Sequence, residues 1–339
     1  MYVFDHICTL QYIIGLIAMT YLFAIETSCD DTSMSILNIK NKRVISYITF
    51  NQNKIHRNHG GIIPELAVNE HIHKITEVFM SLLNKSNILI KQIKFIAATK
   101  APGLQGSLRI GLNFSLGLGK LLDIPVIGVN HLQSHLLSNL YEDGFPHNFI
   151  GLVISGGHTS LYLRKYRHIF LCIGSTKDDA IGESFDKVGR LLGLKYPSGS
   201  TIDRLSNDGN HNRFIFPVPQ LDKPYFNFSF SGLKSFSYNL INYLFRQDIV
   251  VKQKTLNDTC SSLRTSFIII TLEKAFVACK IYGLQSIVVG GGVASNRALK
   301  LFYFTLKKYY NMKICIPKIF GCTDNAAMVG KLGIQTLIS

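Results

Sequence analysis

The chain has 339 residues, of which 47% are hydrophobic and 17% are charged. That balance excludes an intrinsically disordered chain and is enough to form the cores of two domains. The 36 lysines and arginines outnumber the 21 aspartates and glutamates, which gives a formal net charge of +15. An excess of this size suits a polyanionic partner, with nucleic acid first and an anionic membrane surface second, although a codon bias towards lysine explains the charge equally well.

The seven cysteines are scattered along the chain, and no two of them are spaced as Cys-x-x-Cys. Their odd number and their spacing argue against a secreted disulfide scaffold and against a cysteine-based zinc site. We therefore expect a reducing compartment, the cytoplasm, with the mitochondrion as the alternative.

Residues 1–20 are apolar in patches, but the run is too short and too broken for a membrane span. Asp5 precedes the apolar part, where a signal peptide carries positive charge, and the arginines of a mitochondrial presequence are absent. We interpret the segment as an extension that comes from a misassigned start codon, with Met19 as the true start. Removal of residues 1–18 should therefore leave folding and activity intact.

The first half of the chain begins with a predicted β-hairpin. Leu22–Ile25 is an apolar run typical of a strand, and Ser33–Leu37 alternates as a returning strand does. The polar turn between them carries two neighbouring acids, Asp30 and Asp31. A strand, a glycine-containing turn and a helix follow at Phe95–Thr99, at Pro102-Gly103 and from about Ser107.

The second half repeats this order. A predicted hairpin joins Phe149–Ile154 to Ser160–Leu163. A strand, a glycine-rich turn and a helix follow at Ser286–Val289, at Gly290-Gly291-Gly292 and from about Asn296. Two similar lobes, each with a polar hairpin tip at a shared cleft, are typical of actin-like and sugar-kinase-like nucleotide-binding proteins.

His131 and His135 are predicted to lie on one face of a helix that runs from His131 to about Tyr141. Their spacing brings two imidazoles within reach of a single cation. A zinc protease would need a glutamate beside the first histidine, and that position is Leu132. Two histidines at this spacing by chance remain the alternative.

Two histidines supply only part of a coordination sphere, and Asp324 is the candidate for the missing carboxylate. It lies close to the start of a terminal helix predicted to run to about Leu337. Asp324 could therefore equally serve as the N-cap of that helix and nothing more.

The tip of the second hairpin is a candidate phosphate site. Gly156 and Gly157 carry no side chains, so backbone N–H groups can approach a phosphate, and Ser155, His158 and Thr159 add donors. A plain tight turn explains the two glycines as well.

The triple glycine at residues 290–292 ends a strand and opens a helix, a place where backbone can pack against a nucleotide. Asn296 adds a hydrogen-bonding side chain there.

Asp186 and Asp203 are candidate ligand-binding acids. Asp186 lies between Glu183 and Lys187, which form a helical i,i+4 ion pair on a solvated face, and Asp203 follows a loop. The chain has neither a P-loop sequence nor a dinucleotide-binding Gly-x-Gly-x-x-Gly with its downstream acid, which disfavours both classes.

Taken together, these segments resemble the tRNA N6-adenosine threonylcarbamoyltransferase family, once catalogued as a sialoglycoprotease. The matching motifs occur in one order from Leu22 to the C-terminus: residues 25–32, 60–67, 102–104, 130–135, 155–159, 182–187, 228–234, 291–296 and 322–325. Departures from the family pattern occur at Ala101, at Asn69-Glu70-His71 and at Pro197-Ser198-Gly199-Ser200.

The resemblance implies an α/β, actin-like (ASKHA) fold with two duplicated ribonuclease-H-like lobes around a nucleotide and metal cleft. We expect lobe I to comprise residues 21–133 and 313–339, and lobe II residues 134–312. The implied reaction transfers threonylcarbamoyl from its adenylate to the N6 amine of the adenosine beside the anticodon, in tRNAs that read codons beginning with A, and releases AMP.

The resemblance also implies roles for individual residues. One divalent ion, iron or zinc, would be held by His131, His135 and Asp324. The substrate-binding positions would be Ile154, Ser155, Gly156, Gly157, His158, Asp186, Gly199, Asp203 and Asn296. We assign to Asp30 or Asp31 the task of orienting or deprotonating the attacking amine.

The implied partners are tRNA, the threonylcarbamoyl adenylate and, for a bacterial enzyme, a smaller paralogous subunit and a small ATPase; mitochondrial members act as homodimers. No membrane association is expected. An ATP-dependent kinase or chaperone-like protein of the same fold is the first alternative, but it would bind Mg²⁺ through carboxylates and water and would not need two cleft histidines. A metalloprotease and a non-catalytic scaffold are the others.

Overall fold

The computed structural model describes residues 20–166, 169–219, 226–246 and 253–338. Apart from Thr20, the extension predicted at residues 1–20 lies outside the described residues. The chain divides into two compact units. The first unit holds Ile62–Tyr141 together with the chain before Arg57 and after Thr323, and the second holds Arg57–Gly61 and Glu142–Thr323. The sequence placed the corresponding changes of lobe at 133/134 and 312/313.

The described residues contain ten strands. They are β1 (Tyr21–Glu26), β2 (Asp31–Asn38), β3 (Val44–Asn51), β4 (Ile93–Ala101), β5 (Val126–Asn130), β6 (Phe149–Ile154), β7 (Thr159–Lys165), β8 (Ile169–Ser175), β9 (Ser286–Gly290) and β10 (Lys313–Cys315).

The same residues contain eleven α-helices. They are α1 (Asn53–His56), α2 (Pro64–Ser86), α3 (Gln105–Leu122), α4 (His131–Leu136), α5 (Ile181–Leu191), α6 (Gly199–Ser206), α7 (Ser231–Arg246), α8 (Gln253–Tyr282), α9 (Arg297–Tyr310), α10 (Ile319–Cys322) and α11 (Ala326–Leu337). Within these residues, no helix combines the length and the apolar character needed to span a bilayer.

The first unit is built on a sheet of strand order β3-β2-β1-β4-β5. β1 pairs antiparallel with β2 and parallel with β4, so it is the central strand. Leu22, Phe23, Ala24 and Ile25 are all fully or almost fully buried, because helices cover both faces of this strand. That burial explains why the sequence of β1 is a continuous apolar run rather than an alternating one.

The second unit repeats the topology with the order β8-β7-β6-β9-β10. β6 pairs antiparallel with β7 and parallel with β9, as β1 does with β2 and β4. The duplicated α/β plan predicted from the two hairpins is confirmed. The hydrophobic core of this unit lies between the sheet and helices α5 and α8, and includes Leu152, Phe185 and Phe267.

One predicted helix boundary is wrong. The helix that begins at His131 ends at Leu136 rather than near Tyr141. Beyond it, Ser138 N–H bonds to the His135 carbonyl in a tight turn. Ser138 and Asn139 have low helix propensity, which is consistent with a helix that stops after Leu136.

Candidate functional site

The two histidines of the first unit lie where β5 runs into α4. The Asn130 side chain caps this helix by accepting a hydrogen bond from Gln133 N–H at 3.1 Å. His131 and His135 are 4% and 0% exposed, and their rings meet edge to face with centroids 4.7 Å apart. The i,i+4 spacing therefore places both imidazoles together in the interior, as the sequence predicted.

Asp324 joins these histidines from the far end of the chain. Its Oδ1 lies 3.0 Å from His135 Nε2 and 3.7 Å from His131 Nε2. The N-cap of α11 is the next residue, Asn325, whose side chain accepts from Met328 N–H at 3.0 Å. Asp324 is therefore not the helix cap, and its carboxylate is turned towards the histidines.

The three side chains fit a divalent cation. Their ligand atoms all lie within 4.8 Å of one another, a span that one ion can bridge. Two imidazole nitrogens and one carboxylate oxygen form a donor set that suits zinc or iron. Burial raises the pKa values of Asp30 and Asp31, and the negative charge of Asp324 raises them further; a bound cation would relieve that repulsion.

Glu26 is a site residue that sequence reasoning missed. It ends β1, is 0% exposed, and places Oε2 2.9 Å from His131 Nδ1. Thr99 Oγ1 donates to the same oxygen at 2.6 Å, and Ser28 N–H donates to Oε1 at 2.5 Å. The sequence feature that could have identified Glu26 is its position as a single acid at the end of an apolar strand, where an unpaired buried charge would be costly.

Glu26 and His131 shift each other's pKa values. Burial by itself raises the pKa of Glu26, but the charge and hydrogen bond of His131 bring it below its usual value. Burial likewise lowers the pKa of His131, but the charges of Glu26 and Asp324 outweigh it and raise that pKa to about 9. Each partner thus stabilises the charged form of the other.

Asp30 and Asp31, the predicted catalytic acids, lie in the turn between β1 and β2 at the start of the latter. Burial, followed by the charge of Asp324, raises the pKa of Asp30. Burial, Asp30 and Asp324 raise the pKa of Asp31 to about 8, and Asn51 Nδ2 donates to Asp31 Oδ1 at 2.6 Å. The structure therefore brings both acids into the electrostatic field of Asp324.

In the second unit, the tip between β6 and β7 is a tight turn. Ser155 N–H bonds to the His158 carbonyl at 2.8 Å, and His158 N–H bonds to Ser155 Oγ at 3.1 Å. Thr159 Oγ1 accepts from Ile181 N–H at 2.9 Å. Ser155 and Thr159 thus stabilise the turn and the start of α5. Gly156 and Gly157 are exposed, and a Cβ added at either would meet nothing within 4 Å, while the Gly156 carbonyl accepts from Glu183 N–H at 3.1 Å.

Two segments that match the family pattern contact this tip, and Asn296 follows the second of them. The N-terminus of α5 contacts it, because Gly182 N–H bonds to the Ser155 carbonyl at 3.2 Å. Gly291, at φ +98°, packs so closely on Ile154 that an added Cβ would lie 2.3 Å from the Ile154 carbonyl oxygen. Asn296 N-caps α9 by accepting from Leu299 N–H at 2.8 Å, and its amide nitrogen is not used by that bond.

Asp186 and its neighbours form a second group. Asp186 Oδ1 accepts from Ser198 N–H at 2.7 Å, and burial raises the pKa of Asp186 despite its hydrogen bonds to Ser198 and Gly199. Both Asp186 and Ser198 line a cavity of about 520 Å³. Its other lining residues are Arg57, Asn58, Gly60, Arg190, Leu194, Lys195 and Tyr196, so its wall carries three cations.

Asp203 has a structural partner. Its Oδ1 accepts from Arg264 Nη1 at 2.7 Å, and the same guanidinium also donates to Asn207 Oδ1 and to the carbonyl oxygens of Asp203 and Ser206. This ion pair fastens α6 to α8. Arg264 was not singled out in the sequence, because the two partners are 61 positions apart.

The sequence of this chain matches known proteins over most of its length. The model of the TsaD family, described as tRNA N6-adenosine threonylcarbamoyltransferase, matches residues 43–331. Among curated relatives, the enzyme of that name from Thermosipho africanus is 41% identical over 93% of both chains. The one from Staphylococcus aureus strain Newman is 39% identical over 92% of this chain and 90% of its own. The chain belongs to the tRNA N6-adenosine threonylcarbamoyltransferase family.

Solved structures support the fold prediction for this threonylcarbamoyltransferase family member. HypF in its phosphate- and nucleotide-bound form aligns with a TM-score of 0.60 at 14% identity, over 94% of this chain and 55% of its own. Component A of the Acidaminococcus fermentans (R)-2-hydroxyglutaryl-CoA dehydratase aligns with a TM-score of 0.54 at 12% identity, over 94% of this chain and all of its own. The predicted actin-like α/β fold is confirmed. As a member of the threonylcarbamoyltransferase family, the chain is a transferase.

A pH-dependent stability follows from the raised pKa of Asp31. Its pKa is about 8 in the folded chain and near 4 when unfolded, so the folded state binds more protons between these values. Stability conferred by protonated Asp31 is therefore complete below pH 4 and is lost as the pH rises through 8. Because about 1.4 kcal/mol is lost per pH unit between pH 5 and pH 8, Asp31→Asn should reduce the stability difference between pH 5 and pH 9 by about 4 kcal/mol in a chelating buffer.

Thermal unfolding of both proteins in a chelating buffer at the two pH values measures this difference. Asp143→Asn is the matched control, because Asp143 is exposed and should leave the pH profile of the wild type unchanged. Identical profiles for the wild type and Asp31→Asn would show that Asp31 titrates normally.

Proposed function

We propose that this chain transfers the threonylcarbamoyl group from threonylcarbamoyl-AMP to the N6 amine of the adenosine beside the anticodon in tRNAs that read codons beginning with A. The observation that carries this proposal is the assembly of His131, His135 and Asp324 at one point in a member of this transferase family. The product is an N6-threonylcarbamoyladenosine, and AMP is released.

The reaction needs positioning more than a covalent enzyme intermediate, because the adenylate is already activated. The N6 nitrogen bonds to the carbamoyl carbon, the bond from that carbon to the phosphate oxygen breaks, and AMP leaves with the electron pair. The N6 proton must pass to a base. Asp30 or Asp31 is our candidate, since a carboxylate whose pKa is raised is a stronger base in its ionised form.

His131, His135 and Asp324 would hold the divalent ion. When bound, the ion supplies Lewis acidity to carbamoyl and phosphate oxygens and neutralises charge on the departing AMP. Iron and zinc both match the donor set. We propose one ion per chain, which the single cluster of three ligands found among the described residues supports.

The second unit would bind the adenylate. The open backbone of Gly156 and Gly157 suits a phosphate, and the adjoining residues Ile154, Ser155 and His158 shape the tip. Asn296 has an amide for the adenosine. The remaining proposed substrate-binding positions are Asp186, Gly199 and Asp203, and the cations that line the cavity beside Asp186 would attract a second anionic group.

The tRNA would be bound chiefly through its phosphates. A net charge of +15 supplies affinity for a polyanion with little choice of sequence, and that affinity should weaken steeply as the salt concentration rises. We place the protein in a compartment that contains tRNA, the cytoplasm or the mitochondrion. A smaller paralogous subunit and a small ATPase remain proposed partners for a bacterial member, and a second copy of the chain for a mitochondrial one.

Release of AMP from labelled threonylcarbamoyl-AMP tests the function. We expect release only when a tRNA that reads a codon beginning with A is present, with the label then on that tRNA, and none with a tRNA that has guanosine in place of the target adenosine. The measurement is made on the chain alone and with the two partner subunits added. The kinase-like function would replace ours if ATP were hydrolysed without tRNA and no AMP were released from the adenylate, both for the chain alone and with the partner subunits added.

Asn296→Ser separates the two tasks of this side chain. Serine retains an oxygen for the N-cap of α9 but has no amide, so stability should change by less than about 1 kcal/mol. Loss of one buried hydrogen bond should weaken binding of a non-hydrolysable adenylate analogue about tenfold, while tRNA binding stays unchanged. Unaltered analogue binding, measured calorimetrically, would exclude a nucleotide contact by the amide.

A further inference from the structure

The Glu26 carboxylate makes three hydrogen-bond contacts: with Ser28 N–H, with Thr99 Oγ1 and with the His131 ring. It is fully buried, and it is held on two sides by Ser28 N–H at 2.5 Å and Thr99 Oγ1 at 2.6 Å. The third contact is His131 Nδ1 at 2.9 Å from Oε2. Because both oxygens already accept, from Ser28 N–H and from Thr99 Oγ1, the carboxylate is the acceptor of the third hydrogen bond as well, and His131 Nδ1 is its donor.

We propose that Glu26 is an outer-sphere positioning residue of the metal centre, which fixes His131 in the tautomer with Nδ1 protonated and the Nε2 lone pair directed at the ion. The inference rests on the metal ligands of the proposed function. His131 Nε2 is the nitrogen turned towards Asp324 Oδ1, 3.7 Å away. A carboxylate behind a ligating imidazole fixes its ring orientation and makes it a better donor.

The other histidine has no such support among the described residues. His135 Nδ1 is buried and has no protein partner within hydrogen-bonding distance. Asp324 approaches from the other end of the chain with 22% of its side chain exposed. Glu26 and His131 therefore form the preorganised half of the centre, and the other two ligands complete it.

A purely structural role explains the burial of Glu26 less well. Burying an ionised carboxylate carries a desolvation cost, and an apolar side chain at the end of β1 would avoid it. The site retains the acid at a position where one of its oxygens contacts a metal ligand directly. Only the contact with His131 links Glu26 to a metal ligand; the hydrogen bonds from Ser28 N–H and Thr99 Oγ1 do not.

Titration with Co²⁺ against a competing chelator tests the proposal. In Glu26→Gln one amide oxygen cannot replace both carboxylate oxygens, and the negative charge behind His131 is lost, so His131 should become a weaker and less well oriented ligand. We expect Co²⁺ affinity to fall about 10–100-fold, with a changed visible spectrum of the bound ion. Thr99→Val is the matched control, because it removes the other hydrogen bond to Glu26 Oε2 and leaves His131 unchanged. The Co²⁺ affinity of this variant should stay within about threefold of that of the wild type.

Wild-type Co²⁺ affinity and spectrum in Glu26→Gln would overturn the proposal. If that variant does not fold, the ¹⁵N signals of His131 in the Zn²⁺-loaded wild-type protein decide. Protonated Nδ1 with metal on Nε2 supports the role of Glu26, and metal on Nδ1 refutes it. A wild-type chain that binds neither ion would overturn the metal centre and this inference together, whereas tRNA-dependent AMP release tests the transferase function separately.

Discussion

Replacing His135 or Asp324 with alanine is expected to abolish stoichiometric metal binding and to lower threonylcarbamoyl transfer at least about hundredfold. Three protein ligands meet at this point, with Asp324 Oδ1 3.0 Å from His135 Nε2. Removing either group leaves two ligands and an incomplete coordination sphere. The remaining ligands cannot close the gap, because the buried rings of α4 are fixed by packing.

Metal content after dialysis, measured by elemental analysis, and AMP release from the adenylate are the two readouts. His73→Ala is the control, because His73 is an exposed histidine on α2 and its loss should change neither. One metal ion per chain in both purified variants would show that these residues do not form the site. Loss of metal with full activity would show that the ion is structural.

Gly291→Ala is expected to destabilise the second unit by about 3 kcal/mol. Gly291 has φ +98° and ψ 160°, a conformation that is essentially restricted to glycine. An added Cβ would also lie 2.3 Å from the Ile154 carbonyl oxygen. Because that oxygen belongs to the backbone of β6, relief requires the strand end and the Ser155–Gly156 turn to move.

Binding of the adenylate analogue should weaken in the same variant, since the displaced turn is the proposed phosphate site. Gly292→Ala is the matched control. Its Cβ would meet nothing within 4 Å, so its thermal unfolding should resemble that of the wild type. Equal unfolding temperatures for the two variants would mean that the backbone at Gly291 can relax without cost.

Local patterns in the sequence were sufficient for the elements that carry the site. The apolar run of β1, the polar hairpin tips and the i,i+4 histidines are set by short-range geometry, so they could be predicted from neighbouring residues. The repeated order of strand, glycine turn and helix predicted two similar units. The end of α4 was missed because the leucine spacing continues to Leu140, whereas the helix closes after Leu136 in a turn of backbone hydrogen bonds.

The sequence alone thus determined the family, the duplicated α/β plan and the types of residue at the site. Only the tertiary structure decided which residues meet and what each one does. Glu26 lies 105 positions from His131, and Asp324 lies 189 positions from His135, yet each pair forms a direct contact. Periodicity cannot encode such contacts, because chain folding brings together strand ends and helix termini that share no local pattern. Burial then sets their electrostatics: the packing around β1 and α4 removes Glu26 and His131 from water, so the charged form of each depends on the other.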